Sequence, residues 1–398
     1  MQTEAEKKAL SRAEITKLMI EAWQPEQKEE CIPLTEAEGR ILSRDTVAVH
    51  SLPVVRSSAM DGIAVRSADF ADGTMPDTEN WQYGKDYVRA DTGDDFPDAF
   101  DTVIPIEEVE LLENGVRITS APAEIVKGKF VRSCGSMVKK DELIVPKGYR
   151  ITPYRMASLA TGGVKEVWVS KQPVVTFLPT GSELIPAGEI PARGQNIESN
   201  SLMVGSLVRG WGAEYKCMPI VRDQMTQLRD ALTEAVEQSD IVLINGGSSK
   251  GSEDLSIPLL QEMGEVLQHY VRSAPGRPMS VSLVGQTLVI NVPGPTLAAF
   301  AVCDWAVKPA VYRYQGYVEQ NESEIMAVLE EDLNSPPFME IYTRVILTKK
   351  DGQWFAKPIG RSAPMEEGVG KCNGILVTEL GRKGYKAGEM VKIKSINI

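Results

Sequence analysis

Three short loops in the middle of the chain combine glycine, hydroxyl and acidic residues, and each follows an apolar run. They are TGSEL after VVTFL, NGGSSKGSED after IVLI, and PGPT after TLVINV. Helical patterns separate these runs, and strands that alternate with helices predict a doubly wound parallel sheet. In such sheets ligands bind beyond the carboxyl ends of the strands, where glycine loops and helix N-termini present N–H groups. We therefore expect the three loops to form a cradle for a phosphate or another anion.

The middle loop differs from the phosphate-binding loop of nucleotide hydrolases. That motif places Lys-Ser/Thr directly after its second glycine. Here Gly251 is followed by Ser252-Glu253, and Lys250 comes before the glycine. No GxGxxG pattern supports a dinucleotide site either. The sequence therefore argues against both of these nucleotide-binding classes.

Three polar residues of the loops each have a structural and a functional interpretation. Glu183 either completes a helix capping box in TGSE or belongs to a binding site. Asp254 is either a solvated charge in the first turn of a helix or a ligand of Mg²⁺, an ion held by one or two carboxylates plus substrate phosphates. Ser249 is either a small turn residue or a hydrogen-bond partner of a phosphate or oxyanion. Composition leaves these alternatives open.

Asp-Gly stands between Met60 and Ile63 as Asp61-Gly62 in SSAMDGIAV, and between the β-type runs YTRVILTKK and QWFAKPI as Asp351-Gly352. This pattern predicts a β-hairpin, because both residues tolerate positive φ. Asp61 is thus either a turn residue or a carboxylate held for chemistry.

Composition narrows the partners of the chain. A net charge of −12 and a pI near 5.0 argue against nucleic acid or a membrane surface as partner. Five widely spaced cysteines, without a CxxC pair, favour a reduced cytoplasmic protein. The polar N-terminus lacks the apolar core of a signal peptide, and no run is long enough to span a bilayer. Only His50 and His269 are available as imidazoles, which disfavours a zinc or non-haem iron site.

The 398 residues predict two to four domains. Residues 4–23 have helical spacing. Short β-type runs follow from about 40 to 144, and Thr152-Pro153 is typical of a helix start. The alternating α/β pattern begins at Lys171, with CMPIV as one of its strands, and a β pattern typical of a small barrel or sandwich follows residue 320.

Taken together, the motifs resemble those of the molybdopterin molybdenumtransferases, the family of MoeA and the gephyrin E-domain. SSAMDGIAV is similar to the family's SAMDGYA, TGSEL to TGDEL, GQNIESN to GxIxDSN, NGGSSKGSED to GGxSxGxxD, APGRP to KPGKP, and VPGPT to LPGNP. The six motifs occur in the family's order and cover nearly the whole chain.

The resemblance implies a multidomain α/β plus β subunit. Its parts are a segmented helical linker domain (1–49 and 144–171), an inserted β domain (50–143), a molybdopterin-binding α/β domain (172–320) and a C-terminal β-barrel domain (321–398). It also implies a homodimer whose cleft joins the α/β domain of one subunit to the β domain of the other. The reaction is insertion of molybdate into adenylylated molybdopterin with Mg²⁺, which releases AMP. The molybdopterin adenylyltransferase is a candidate partner.

The resemblance also implies roles for individual residues. Asp61 resembles the active-site aspartate offered across the dimer interface, with Thr92 nearby. Glu183 would support the pterin pocket, whereas Arg277 and Arg344 would face molybdate. Asp254 and Glu198 would hold the metal. The residues that would bind the pterin substrate and its phosphates are Thr180, Gly181, Gly246, Gly247, Ser249, Gly251, Pro278, Pro293 and Gly294.

The chain departs from the family pattern at several positions. Ala274 replaces the first lysine of KPGKP, and Pro295-Thr296 replaces the Asn-Pro of LPGNP. Met137 stands where the β domain has an aspartate, and Lys250 adds a charge that could replace the lost lysine. Two hypotheses follow: a divergent molybdenumtransferase, or a molybdopterin-binding paralogue that lost insertion or changed oxyanion, for example to tungstate.

Overall fold

The computed structural model describes residues 8–246, 255–319, 324–360, 363–364 and 366–396. The chain forms two compact units, Met1–Glu30 with Ser170–Ile398, and Cys31–Val169. The α-helices of the described residues are α1 (Arg12–Ala22), α2 (Pro153–Thr161), α3 (Asn200–Gly210), α4 (Met225–Glu237), α5 (Ser256–Met263), α6 (Thr296–Val302) and α7 (Lys308–Gln315). Two π-helical turns cover Cys303–Val307 and Glu366–Gly370. The four-domain division remains a prediction.

Two predicted helix starts are defined by their caps. Helix α1 begins at Arg12, inside the segment predicted as helical, because Ser11 and Glu14 form a capping box. Helix α2 begins after Thr152, whose side chain accepts a hydrogen bond from the Arg155 N–H. The predicted start at Thr152-Pro153 is confirmed.

The unit Cys31–Val169 is rich in short strands, as its sequence predicts. The strands within it and at its borders are β1 (Glu29–Pro33), β2 (Thr46–Val47), β3 (Ser57–Ser58), β4 (Gly62–Val65), β5 (Tyr87–Ala90), β6 (Thr102–Pro105), β7 (Val109–Leu112), β8 (Gly115–Ile118), β9 (Val131–Arg132), β10 (Leu143–Val145) and β11 (Glu166–Ser170). Five 3-10 helices connect them, at Leu34–Glu36, Ser67–Phe70, Thr78–Asn80, Ile106–Glu108 and Pro122–Glu124. Strand β4 is buried on both faces, because Ile63 and Val65 pack into one apolar cluster and Ala64 into another.

Asp61-Gly62 does not form the predicted β-hairpin. Strand β3 pairs with β9, whereas β4 pairs with β5 on one side and with β6 on the other. Gly62 is required for a different reason: a Cβ there would lie 2.0 Å from the carbonyl oxygen of Ile104 in β6. Close contact between strands, not positive φ, selects this glycine.

The α/β part of the other unit contains a six-stranded sheet. Its strands and the short strands near it are β12 (Val174–Pro179), β13 (Leu184–Ile185), β14 (Asn196–Ile197), β15 (Glu214–Cys217), β16 (Ile241–Asn245), β17 (Glu265–His269), β18 (Ser273–Ala274), β19 (Ser280–Val284) and β20 (Thr287–Val292). The sheet order is β15-β12-β16-β20-β19-β17. The first four strands are parallel, and the last two are antiparallel to their neighbours. The predicted doubly wound sheet is confirmed with an antiparallel edge, but the strand expected over CMPIV ends at Cys217.

Helices cover both faces of this sheet. Along β16, Ile241 and Leu243 pack into one apolar cluster with residues of α3, α6 and α7. Val242 and Ile244 pack into a second cluster with residues of α4 and α5. Because side chains alternate along a strand, this double burial explains why the strand reads as a continuous apolar run.

The C-terminal part is a closed barrel of five strands. The strands here are β21 (Glu324–Leu329), β22 (Leu333–Asn334), β23 (Glu340–Lys350), β24 (Gln353–Pro358), β25 (Gly374–Thr378), β26 (Gly384–Tyr385) and β27 (Met390–Ser395). The order β23-β24-β21-β27-β25 closes through the pairing of β25 with β23. Asp351 and Gly352 form the tight turn between β23 and β24, with φ of 49° and 83°. This hairpin prediction is confirmed.

Candidate functional site

The carboxyl ends of β12, β16 and β20 lie side by side, and the loops that follow them are joined by backbone hydrogen bonds. The Thr180 N–H donates to the Asn245 carbonyl at 3.0 Å, and the Gly246 N–H donates to the Val292 carbonyl at 3.0 Å. The first residues of the three glycine loops are therefore brought together in a row.

Gly246 must be glycine for this arrangement. Its φ is +118°, a conformation that side chains with a Cβ rarely adopt. A Cβ would also lie 2.7 Å from the carbonyl oxygen of Thr180. At Gly246 the backbone of the second loop therefore comes closer to the first loop than a residue with a side chain would allow.

Two buried asparagines that the sequence did not single out connect the three loops. The Asn245 side-chain amide donates to the carbonyls of Val292 (3.1 Å) and Pro293 (3.0 Å). The Asn200 amide donates to Asn245 Oδ1 (3.1 Å) and to the Gly294 carbonyl (2.7 Å). The available signals were an asparagine closing the apolar run IVLIN and another closing the ESN triplet.

Glu198 lies at the start of α3 and is buried. Its Oε1 accepts the Ser201 N–H at 2.9 Å, and its Oε2 accepts the Ser201 hydroxyl. Carboxylates in this position are favoured by the unpaired N–H groups and positive dipole of a helix N-terminus. The structure thus shows Glu198 capping α3, and its predicted role as a metal ligand stays a prediction.

Glu183 and Gly181 lie in the first loop. The capping-box interpretation of TGSE is wrong, because no helix begins here: Glu183 precedes β13, which pairs in parallel with β14. Two hydrogen bonds from backbone N–H groups hold the loop instead. The Ser182 N–H donates to Asp223 Oδ2 at 2.7 Å, and the Gly181 N–H donates to the Val221 carbonyl. The Glu183 side chain is left exposed at the rim of the loop.

The predicted residues of the middle loop beyond Gly246 lie outside the described residues. They are Gly247, Ser249, Lys250, Gly251 and Asp254. Their predicted roles with phosphate and Mg²⁺ stay predictions.

Asp61 and Thr92 are in direct contact. The Thr92 N–H donates to Asp61 Oδ1 at 2.7 Å. This bond, followed by the Thr92 side chain, lowers the pKa of the exposed Asp61 carboxyl below its ordinary value. Like any exposed aspartate, Asp61 is ionised at neutral pH; Thr92 stabilises this charged form, which is presented to solvent as a carboxylate that binds a cation must be.

The two predicted arginines occupy different environments. Arg277 is half-buried between β18 and β19, next to Pro278, and its carbonyl accepts the Val271 N–H. Arg344 lies in β23 of the barrel. Its guanidinium donates to the Gly368 carbonyl at 2.7 Å and to the Gly360 carbonyl at 3.4 Å, so this side chain connects β23 to these two glycines.

The positions that depart from the family pattern are structurally defined. Ala274 is part of β18 and pairs with Ile341 of the barrel. Pro295 is the residue before α6, and Thr296 is the first residue of that helix. Met137 is 60% exposed.

Among the described residues no group of three or more His, Cys, Asp and Glu side chains is placed to hold a metal ion. All five cysteines lie within the described part of the chain, and each is a free thiol. No helix that the structure describes is long and apolar enough to cross a membrane.

Comparison with known proteins defines the class to which this fold and site belong. Residues 3–163 match the MoeA N-terminal region (domain I and II), and residues 176–313 match a probable molybdopterin binding domain. A MoeA protein from Pyrococcus horikoshii has the same fold, with a TM-score of 0.78 and 23% identity over 97% of this chain and 100% of that one. The chain thus combines a match to the MoeA N-terminal region with a match to a probable molybdopterin binding domain.

Curated relatives align with this chain over most of their length. The molybdopterin molybdenumtransferase of Haemophilus influenzae is 27% identical over 92% of this chain and 94% of its own. The enzyme of the same name from Bacillus subtilis is 26% identical over 93% and 90%, and that of Staphylococcus aureus is 28% identical over 91% and 90%. The chain belongs to the MoeA family.

Proposed function

We propose that this protein inserts molybdate into adenylylated molybdopterin and releases molybdenum cofactor and AMP. The observation that carries the proposal is the meeting of the three strand-end loops in the domain that matches the molybdopterin-binding model. Such strand ends bind small ligands in open α/β sheets. The curated relatives named molybdopterin molybdenumtransferase support the same reaction.

In this proposal the loops bind the substrate and orient it. Backbone groups of Thr180, Gly181, Gly246 and Gly294 form the floor of the cradle, and the pterin and its phosphates lie above them. Glu183 stands at the rim. The first residues of the loops are hydrogen-bonded to one another before substrate arrives, so these residues need little further ordering on binding, which favours affinity.

Mg²⁺ suits the carboxylates of this chain. Mg²⁺ is bound by oxygen ligands, usually one or two carboxylates together with substrate phosphates. Asp61 fits this requirement, since it is an exposed carboxylate that the Thr92 N–H holds in place. Bound Mg²⁺ would neutralise phosphate charge as AMP leaves. Asp254 and Glu198 are the other proposed ligands, and the Glu198 carboxylate would have to exchange Ser201 for the ion.

The proposal extends to assembly and location. We propose a cytoplasmic homodimer in which Asp61 and Thr92 of one subunit serve the cleft of the other. The molybdopterin adenylyltransferase, as source of the adenylylated substrate, is the proposed partner.

A second candidate is a paralogue that binds molybdopterin but has lost insertion or accepts another oxyanion, such as tungstate. Two observations favour it. Ala274 replaces the first lysine of the family motif, and the Arg344 guanidinium is engaged by backbone carbonyls. Arg277 and Lys250 are then the other proposed cations for the oxyanion, with Lys250 as the proposed replacement for the missing lysine.

The test is AMP release from adenylylated molybdopterin by the purified protein with Mg²⁺, in the presence of molybdate, of tungstate, or of neither. Release that depends on molybdate supports the insertase. Release that depends on tungstate alone supports the paralogue with altered oxyanion. Tight binding of the substrate without release under any condition contradicts insertion and supports a binding module.

A further inference from the structure

Asn200 and Asn245 form a buried pair between the loops of the candidate site. They are 5% and 4% exposed. The Asn245 amide donates to the Val292 carbonyl at the end of β20. The Asn200 amide donates to the Gly294 carbonyl, two residues further along the chain. Together they connect the start of α3, the end of β16 and the PGPT loop.

The PGPT loop needs such a contact because it has few donors of its own. Pro293 and Pro295 have no backbone N–H. The loop can therefore be fixed mainly through its carbonyl oxygens, and the side-chain amides of the asparagine pair bind two of them, those of Pro293 and Gly294. The Asn200 bond to Gly294, at 2.7 Å, is the one that reaches the exposed middle of the loop.

Asn200 is itself held in place by its neighbours in the chain. Glu198 accepts two hydrogen bonds from Ser201, one from its N–H and one from its hydroxyl. The Tyr215 hydroxyl donates to the Ser201 carbonyl at 2.8 Å. These bonds fix the first turn of α3, and Asn200 is the first residue of that turn. Its amide is thus presented to the two loops by a rigid support.

We propose that Asn200 is a positioning residue, whose amide holds the PGPT loop against the end of β16 so that the pterin cradle is formed before substrate binds. This inference rests on the proposed function for its effect on substrate. The effect on the loop itself does not depend on that function.

The sharpest substitution is Asn200→Asp, which keeps the shape of the side chain and replaces the amide donor by an acceptor. The new carboxylate would face Asn245 Oδ1 and the Gly294 carbonyl, and neither can donate to it. Because an unpaired buried group of this kind is costly, we expect the dissociation constant for adenylylated molybdopterin to rise about tenfold or more. The turnover number at saturating substrate should change much less, because the contact acts on ground state and transition state alike.

The matched control is Asn196→Asp. This residue lies four positions earlier in the same segment, its side chain is exposed, and the substitution adds the same charge. The Asn196 N–H bond to the Glu183 carbonyl is made by the backbone and is kept. We expect substrate affinity within about twofold of the parent protein, a change well below 1 kcal/mol.

A second readout needs no substrate. Amide hydrogen exchange of the segment 292–299 should be faster in Asn200→Asp than in the parent protein and unchanged in Asn196→Asp. Ala298 and Ala299, whose N–H groups donate to the Pro295 carbonyl, report on the start of α6. Asn200→Ser, which keeps a neutral donor, is the second variant if the aspartate variant does not fold, and circular dichroism establishes folding in each case.

The outcomes separate the two proposals. Faster loop exchange with weaker substrate binding supports the positioning role. Unchanged exchange and affinity in a folded variant at position 200 overturns it, because the loop would then be held without Asn200. If the parent protein neither binds the pterin nor releases AMP, the proposed function fails, and loop exchange alone decides whether Asn200 holds the loop.

Discussion

Asp61-Gly62 and Asp351-Gly352 are the same dipeptide, each leading into a β-strand, yet they serve different purposes. Asp351-Gly352 turns the chain between β23 and β24, and both residues have positive φ. Asp61-Gly62 precedes β4, which pairs with two other strands and forms no hairpin with β3. The glycine provides positive φ in one case and close approach to Ile104 in the other.

The two aspartates also have different roles, one set by the local turn and the other by a distant residue. Asp351 has the backbone conformation that a tight hairpin turn requires. Asp61 accepts a hydrogen bond from Thr92, which is 31 residues away in the chain, and is presented as an exposed anion. A local motif thus identifies residues that suit a turn, whereas long-range partners decide whether the turn forms. Substitutions at the four positions test whether steric contact or φ selects each glycine and whether Asp61 has a role beyond a turn.

The largest expected effect is on stability, for Gly62→Ala. The added methyl group would lie 2.0 Å from the Ile104 carbonyl oxygen, and both strands are buried, so β4 and β6 must separate. We expect the free energy of unfolding to fall by about 3 kcal/mol. Denaturant unfolding measures this loss. A loss no larger than that of Gly352→Ala would show that strand contact does not select the glycine.

The next effect is on activity, for Asp61→Asn. The substitution keeps the size of the side chain and removes the charge proposed to serve Mg²⁺ and the reacting phosphate. We expect molybdate-dependent AMP release to fall about 100-fold, as for removal of one group that stabilises charge in a transition state. Asp351→Asn is the matched control, since it removes the same charge from an exposed Asp-Gly and Asn-Gly also suits the turn. Equal activities of the two variants would contradict the role of Asp61.

A smaller effect is expected for Gly352→Ala. The hairpin turn has open space around this residue, so the added methyl group meets no other atom within 4 Å. Only the positive φ of 83° opposes it, at a cost of about 1 kcal/mol. The same denaturant experiment measures the difference. A loss as large as that of Gly62→Ala would mean that φ, and not steric contact, dominates at both positions.

The smallest effect is the pH dependence contributed by Asp61. Its pKa in the folded protein is lowered, first by the Thr92 N–H. The stability that this bond contributes is therefore present above the unfolded pKa of about 3.9 and is lost as the pH falls through the folded pKa. We expect the stability difference between the parent protein and Asp61→Asn to be larger at pH 6 than at pH 3. A difference that does not change with pH would contradict the bond to the ionised form.

Much of the fold could be predicted from the sequence. The strands β12, β16 and β20 read as apolar runs because helices bury both of their faces, and the loops after them carry glycine and hydroxyl residues. The barrel hairpin at Asp351-Gly352 could also be predicted, because its signal lies in the turn residues themselves. By contrast, the capping-box interpretation of TGSE required a helix that does not form, because the loop leads into β13, and its pairing with the distant β14 outweighs the local pattern.

In the candidate site, too, some features follow from the local sequence and others from contacts between distant segments. Residue types and spacing indicate which loops carry the candidate chemistry, because strand and turn preferences depend on neighbouring residues. The hydrogen bonds between distant segments follow from the tertiary structure alone. The asparagine pair joins residues 45 and 94 positions apart, Arg344 donates to the carbonyls of Gly360 and Gly368, and the Asp61 carboxylate accepts the N–H of Thr92. Hydrogen bonds of this kind form only when packing brings distant segments together, and no local pattern encodes them.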